Sequence, residues 1–188
     1  MKVITVPNLV TFSRIVLIPL IIGLYYLPSD WLSFENKNTA ATAVFILAAA
    51  TDWLDGFLAR RLNQMSAFGA FLDPVADKLI VAGALIVLLK EGRVDAVVAL
   101  IIIGRELAIS ALREWMASLG HAKSVAVAFI GKLKTGFQLV AIPMLLYDDR
   151  LFGLDCHALG TALSYVAALL TVVSMLHYIR RALPHAGP

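Results

Sequence analysis

The chain has 188 residues, of which 60% are hydrophobic and 15% are charged. Soluble domains are about 45–50% apolar and about 25% charged, so this composition excludes an ordinary soluble protein and favours an integral membrane protein. The net charge of +3 is small, and we expect no nucleic-acid partner. The single cysteine, Cys156, excludes an internal disulfide and argues against a metal cluster built from thiolates.

Six apolar stretches, separated by short polar turns, follow one another along the chain. A helix that spans a membrane needs about 20 residues, so six such helices leave little sequence for a soluble domain. We predict helices at about residues 9–27, 40–62, 69–90, 95–118, 124–147 and 157–178. Because Arg14 interrupts the first stretch and no small-residue cleavage site precedes Pro28, we interpret that stretch as a retained span and not as a signal peptide. The sequence therefore predicts an all-α integral membrane protein, a single domain of residues 1–188 folded as a bundle of six transmembrane helices.

Lysines and arginines outside the predicted spans indicate the orientation, because cytoplasmic loops carry an excess of them. Six lie on the side of the two termini and four on the opposite side. The six are Lys2, Arg60, Arg61, Lys123, Arg180 and Arg181, and the four are Lys37, Lys90, Arg93 and Arg150. Both termini are therefore expected to be cytoplasmic.

The second and third predicted helices carry four aspartates within otherwise apolar sequence. A charge in hydrocarbon is costly, so ionisable residues inside a span indicate a functional site. Asp52 and Asp55 lie about one turn apart, as do Asp73 and Asp77, so each pair shares a helix face. Two helices joined by a short turn are antiparallel neighbours, so the two pairs can face each other. Carboxylate oxygens from two helices suit Mg²⁺ or Mn²⁺, and two ions about 3.5–4 Å apart could hold both oxygens of an in-line displacement at phosphorus.

Charges from four predicted helices converge in the cytoplasmic half of the bundle. At about 1.5 Å per residue, Asp52, Asp77 and Lys132 each lie roughly 12 Å from a cytoplasmic helix end. On the same scale Arg113 lies about 8 Å deep and Arg105 about 20 Å deep. The opposite halves of the second, third and fifth helices are almost purely apolar. This distribution predicts a cavity that opens to the cytoplasm.

The acidic stretch matches a signature with eight fixed positions over 26 residues, Asp-x2-Asp-Gly-x2-Ala-Arg-x8-Gly-x3-Asp-x3-Asp. The fixed positions are Asp52, Asp55, Gly56, Ala59, Arg60, Gly69, Asp73 and Asp77. On this signature the chain resembles the CDP-alcohol phosphotransferase family, integral-membrane enzymes of phospholipid synthesis. Segments 7–14, 104–117 and 131–135 carry the same resemblance, which covers nearly the whole chain.

The resemblance implies roles for the signature residues. It implies metal binding by Asp52, Asp55, Asp73 and Asp77, with Asp77 also acting as general base. It implies a nucleotide site formed by Asp55, Gly56, Ala59, Arg60 and Gly69. The expected cofactor is Mg²⁺ or Mn²⁺, as two ions. The expected reaction joins CDP-diacylglycerol and sn-glycerol 3-phosphate and releases CMP. The resemblance also implies a homodimer among the lipids of a bacterial cytoplasmic (inner) membrane. Its active site is expected to face the cytoplasm.

The acceptor in this reaction is a dianion, so its site needs cations that do not belong to the metal site. The candidates are Arg105, Arg113, Lys132 and Lys134. Arginine suits bidentate phosphate contacts, and lysine acts as a point charge. Lys132 and Lys134 are about 200° apart on a helix, so one of them is expected to point into the cavity, and the sequence does not indicate which.

Three alternatives stay open at this stage. A sister enzyme of the same family could use another acceptor, such as phosphatidylglycerol in cardiolipin synthesis. An aspartate-rich intramembrane prenyltransferase would also use Mg²⁺ and a pyrophosphate, although the chain is short for one. An ion or proton transporter would need polar residues that continue to the far side, and the outer halves of the second, third and fifth helices lack them.

Overall fold

The structure is a computed structural model, and it describes residues 6–62, 67–121 and 129–185. Within these ranges the side chains of residues 11–51, 69, 71–121 and 130–184 are described.

Six α-helices account for most of the described residues. They are α1 (Val6–Leu24), α2 (Phe34–Leu62), α3 (Ala67–Lys90), α4 (Ala96–Ser118), α5 (Phe129–Tyr147) and α6 (Cys156–Ala182). Between α5 and α6 lies a small antiparallel hairpin of β1 (Arg150–Leu151) and β2 (Leu154–Asp155), and a 3₁₀ turn (Leu183–His185) follows α6. The prediction of a helical chain with six helices is confirmed, apart from the hairpin.

One helix in the described part of the chain, α6, is both long and apolar enough to cross a membrane on its own sequence. The segment Thr11–Leu24 of α1 is a shorter apolar helix. Charged residues interrupt the apolar sequences of α2, α3, α4 and α5. These interruptions are the residues from which the candidate site is built.

Four predicted helix boundaries were wrong by three residues or more. The first helix begins at Val6 and ends at Leu24, three residues earlier than predicted at each end. The second helix begins at Phe34 and not near residue 40, because Lys37 and Asn38 are buried and bonded inside the bundle instead of lying in a polar loop. The last helix continues to Ala182, so Arg180 and Arg181 form its final turn, where positive charge is favourable next to the helix dipole. The predicted start of the fifth helix, near residue 124, lies outside the described residues.

An apolar cluster fills the middle of the bundle and joins α1 to α6. Its fully buried members include Ile21, Phe45, Leu88, Ile102 and Leu145. Two helix pairs approach closely at glycines. A Cβ at Gly83 of α3 would lie 3.0 Å from Ile18 of α1, and one at Gly160 of α6 would lie 2.9 Å from Leu145 of α5.

At the end of the bundle opposite the chain termini, a buried arginine joins four segments of the chain. Arg93 donates to Asn38 Oδ1 at 2.9 Å and forms an ion pair with Asp148 Oδ2 at 3.0 Å. It also donates to the carbonyl oxygens of Leu145 and Leu146, at 3.1 and 2.9 Å. The Tyr25 hydroxyl donates to Asn38 Oδ1 at 3.2 Å. We call Arg93, Asn38, Asp148 and Tyr25 the far-end network.

Candidate active site

Two of the four predicted metal-binding aspartates project from one face of α3 toward α1. The Thr11 hydroxyl donates to Asp73 Oδ1, and Arg14 Nη1 donates to Asp77 Oδ1. Arg14 Nη2 lies 3.6 Å from Asp73 Oδ1. Because one arginine side chain reaches both carboxylates, Asp73 and Asp77 share a face, as their spacing of one turn predicts. Both carboxylates are almost half exposed, so they remain accessible to a ligand.

Arg14 and Thr11 are site residues that the sequence interpretation missed. Both are 1% exposed, and both contact the α3 carboxylates. In the sequence, Arg14 is noted as an interruption of the first apolar stretch and as the last residue of segment 7–14, without a role in the site. A signal was available, since an arginine inside an apolar helix requires an anionic partner within the bundle.

A second group of charges lies between α4, α5 and α6. Lys134, which is fully buried, forms an ion pair with Glu106, and Arg105 Nη1 lies 3.5 Å from the same carboxylate oxygen. Arg105 Nη2 also donates to Ser174 Oγ of α6 at 3.3 Å. Glu106 therefore balances part of the positive charge that two helices bring together.

The ring of Tyr178 in α6 contacts both arginines that are predicted to bind the acceptor phosphate. The guanidinium carbons of Arg105 and Arg113 lie 5.6 and 5.4 Å from its ring centre, within cation–π range. The Nε atoms of both arginines are buried and have no hydrogen-bond partner among the described residues. Buried polar atoms are usually paired, so these two N–H groups have hydrogen-bonding capacity that the described residues do not use.

The two predicted lysines lie on different faces of α5. Lys134 is buried against Glu106 in the interior. Lys132 is exposed and borders a shallow apolar groove with Phe137 of α5 and Leu163 of α6. The structure therefore places Lys134, and not Lys132, beside the predicted acceptor arginines.

A cavity of about 440 Å³ lies between α2, α3, α4 and α5. Its polar lining residues are Asp77, Lys78, Glu106, Ser110, Arg113, Glu114, Thr135 and Gln138. Its apolar lining comes mainly from Phe45, Ile80, Val81 and Leu139. Asp77 and Arg113, predicted from the sequence as base and acceptor-binding residue, thus border one space. Lys78, which the sequence analysis did not single out, lines it too and donates to Ser110 Oγ.

The α2 half of the predicted site is described only as backbone. Residues 52–60 are helical, but the side chains of Asp52, Asp55, Gly56, Ala59 and Arg60 lie outside the described part of the chain. Gly69, at the start of α3, is buried.

The described carboxylates fit a divalent cation in chemical type. Asp73 and Asp77 offer oxygen ligands from one helix face, which is the donor set that Mg²⁺ or Mn²⁺ prefers. Among the described residues no group of three or more acidic, histidine or cysteine side chains comes together. A complete site on these residues would need the α2 carboxylates as well.

The sequence profile of the CDP-alcohol phosphatidyltransferase family matches residues 4–173, which include α1 to α5, the signature and most of α6. The chain belongs to this family. Its members are generally dependent on a divalent metal. The family assignment expected from the signature is confirmed.

Curated relatives of this chain resemble it along nearly their whole length. A protein of Shigella flexneri serotype 5b (strain 8401) is 48% identical over 179 residues, which cover 94% of each chain. Proteins of Escherichia coli strain K12 and of Escherichia coli O157:H7 show the same identity and coverage. All three are named CDP-diacylglycerol–glycerol-3-phosphate 3-phosphatidyltransferase.

Proposed function

We propose that this chain transfers the phosphatidyl group of CDP-diacylglycerol to sn-glycerol 3-phosphate, giving phosphatidylglycerophosphate and CMP. The observation that carries the proposal is that Asp77 and Arg113 line one cavity. A base and a phosphate-binding cation are the two groups that a phosphorylated alcohol needs as acceptor. The names of the relatives at 48% identity support the same reaction.

In this mechanism Asp77 takes the proton from the attacking hydroxyl of the acceptor. The new O–P bond forms at the lipid-bearing phosphorus, while the bond from that phosphorus to CMP breaks and CMP keeps the electron pair. A carboxylate is a weak base, so its position toward the hydroxyl matters more than its strength. Arg14 fixes that position, because it holds Asp77 Oδ1 from the side of α1.

Asp52, Asp55, Asp73 and Asp77 are the residues that would hold Mg²⁺ or Mn²⁺, and two ions are proposed. When bound, the ions would offset the charge of the pyrophosphate and stabilise the charge that develops on the leaving phosphate. The proposed nucleotide site consists of Asp55, Gly56, Ala59, Arg60 and Gly69.

We assign the acceptor phosphate to Arg105, Arg113 and Lys134. The unpartnered Nε atoms of both arginines support this assignment, and arginine forms bidentate contacts with phosphate. Lys132 is left out of the proposed site because it is exposed on the opposite face of α5.

The proposed architecture is one domain, residues 1–188, with six spans in a bacterial cytoplasmic (inner) membrane and both termini inside. The active site then faces the cytoplasm, from which the water-soluble acceptor arrives, while the acyl chains stay in the bilayer. The protein is proposed to act as a homodimer. The exposed apolar residues along all six helices agree with a lipid environment.

A parallel acceptor assay tests the proposed reaction. Purified protein with CDP-diacylglycerol and Mg²⁺ is offered glycerol 3-phosphate, phosphatidylglycerol, serine or inositol phosphate, and CMP release is measured. We expect release with glycerol 3-phosphate. Release with phosphatidylglycerol alone would contradict the proposed acceptor, and no release with any of the four would contradict the enzyme assignment.

A further inference from the structure

Gln138 is a buried residue of the cavity wall, and its amide nitrogen, Nε2, has no hydrogen-bond partner among the described residues. It is 4% exposed, and it follows Lys134 by one turn of α5. Gln138 lines the cavity together with Asp77 and Arg113.

Several other polar groups of the cavity already have hydrogen-bond or ion-pair partners within the protein. Lys78 donates to Ser110, and Glu106 forms an ion pair with Lys134. The Thr135 hydroxyl donates to the carbonyl oxygen of Gly131 in its own helix. Because buried side-chain amides are usually hydrogen-bonded, an unpaired one in a cavity wall indicates a bond made with a ligand.

The proposed acceptor has a hydroxyl group that suits the unpaired amide of Gln138. Glycerol 3-phosphate has three polar groups, namely the phosphate, the hydroxyl that attacks and a secondary hydroxyl between them. The phosphate matches the arginines and the attacking hydroxyl matches Asp77. The secondary hydroxyl is neutral and both donates and accepts, so a side-chain amide suits it in either orientation of the amide.

We propose that Gln138 binds the secondary hydroxyl of the acceptor and makes the enzyme specific for a phosphorylated triol over a phosphorylated diol. The assignment rests on the proposed function and deepens it. A site built to hydrogen-bond a hydroxyl rejects an analogue that lacks it, because the buried polar group is then left unpaired.

The test compares glycerol 3-phosphate with 3-hydroxypropyl phosphate, which lacks the secondary hydroxyl. We expect the unsubstituted enzyme to prefer glycerol 3-phosphate by at least about tenfold in kcat/KM, the size expected for one hydrogen bond. Gln138→Leu should lower kcat/KM for glycerol 3-phosphate by about that factor and leave the analogue within about twofold. Gln138→Met, which keeps the unbranched shape, provides a second variant if leucine disturbs folding.

Thr171→Val is the matched control. Thr171 is fully buried on α6, its hydroxyl has no partner among the described residues, and it lies outside the cavity lining. This substitution should leave the ratio of the two substrates unchanged.

Four results would overturn the assignment. The first is an equal kcat/KM of the unsubstituted enzyme for both acceptors, which can be measured without any variant. The second is an equal loss with both acceptors in the Gln138 variants, which would indicate a structural role. The third is a change in the Gln138 variants that is confined to the KM of CDP-diacylglycerol. That result would mean that the Gln138 amide binds an ester carbonyl of the lipid. Finally, an unsubstituted enzyme without CMP release would overturn the proposed function itself, which keeps the two failures distinguishable.

Discussion

Asp77 is bound by an arginine and also belongs to the wall of the cavity. Its Oδ1 accepts from Arg14 of α1, and the residue lines the space between α2, α3, α4 and α5. In the proposed reaction the same group also contributes to metal binding and accepts a proton. A substitution that removes the basic oxygen but keeps the size of the side chain can separate these roles.

Asp77→Asn is expected to lower kcat by about 10²–10⁴, the usual contribution of a general base. Nucleotide and metal binding should largely survive, because the other proposed ligands remain. The measurements are CMP release and calorimetric titration with CMP and Mg²⁺, and Asp149→Asn, an exposed position at the far end of the bundle, serves as the control. Loss of binding as severe as in Asp55→Asn would mean that Asp77 is chiefly a ligand.

Individual site residues were predictable where spacing alone decides the geometry. The four-residue spacing of Asp73 and Asp77 was sufficient to place them on one face. The choice between Lys132 and Lys134 was not, because it depends on which face of α5 meets α4 and α6. Arg14 was missed since its partners lie more than 60 residues away in the sequence, and local pattern carries no information on such a pairing.

Among the elements, α1 has a larger role than its sequence suggests. It packs against both α2 and α3, and it supplies the two buried side chains that hold the α3 carboxylates. Pro74 follows Asp73 directly and lacks the N–H that would bond to the carbonyl one turn earlier. The α3 helix therefore lacks one backbone hydrogen bond beside the carboxylates that α1 contacts.

The misplaced start of α2 and the unexpected burial of Arg93 have a common physical cause. The α2 start and the loop residue Arg93 look solvent-exposed in the sequence because they are polar. In the structure Lys37, Asn38 and Arg93 are each 5% exposed, and their polar atoms bond to backbone and side chains inside the bundle. Polarity alone does not distinguish a solvated loop from a satisfied interior network.

The far-end network gives a stability prediction. Arg93→Met should destabilise the protein by about 3 kcal/mol, because removal of one partner leaves the other polar groups buried and unpaired. Arg150→Met, at an exposed arginine of β1, should change stability by less than about 0.5 kcal/mol. Thermal unfolding of both variants in detergent measures the difference, and equal melting temperatures would contradict the structural role of the network.

For the whole molecule, internal contacts at the far end account for two of the positive residues on the proposed outer side. Four positive residues were counted for the outer side, but Arg93 is paired with Asp148 and Lys37 donates to the carbonyl oxygen of Leu27 at 2.6 Å. Both serve internal hydrogen bonds. Lys90 and Arg150, the other two of the four, lie at the protein surface.

Cysteine labelling tests this orientation. In a Cys156→Ala background, Asp30→Cys should react with a membrane-impermeant maleimide on intact cells, and Leu119→Cys should react only after permeabilisation. Both positions are exposed, at opposite ends of the bundle. The unsubstituted protein should stay unlabelled until it is denatured, because Cys156 is 1% exposed. The reverse pattern of labelling would invert the proposed topology.

Between the cavity and the far-end network lies the apolar cluster, and this separation has a consequence for the cell. Along α3 the cavity lining ends at Val81, and Ala84, Leu85 and Leu88 follow before Arg93. In a membrane that stores an electrochemical gradient, the apolar cluster would block the path of protons and ions. The charge-rich cavity could then open to water on one side without conducting them to the other side. The enzyme could thus build lipid in an energised bilayer without dissipating its potential.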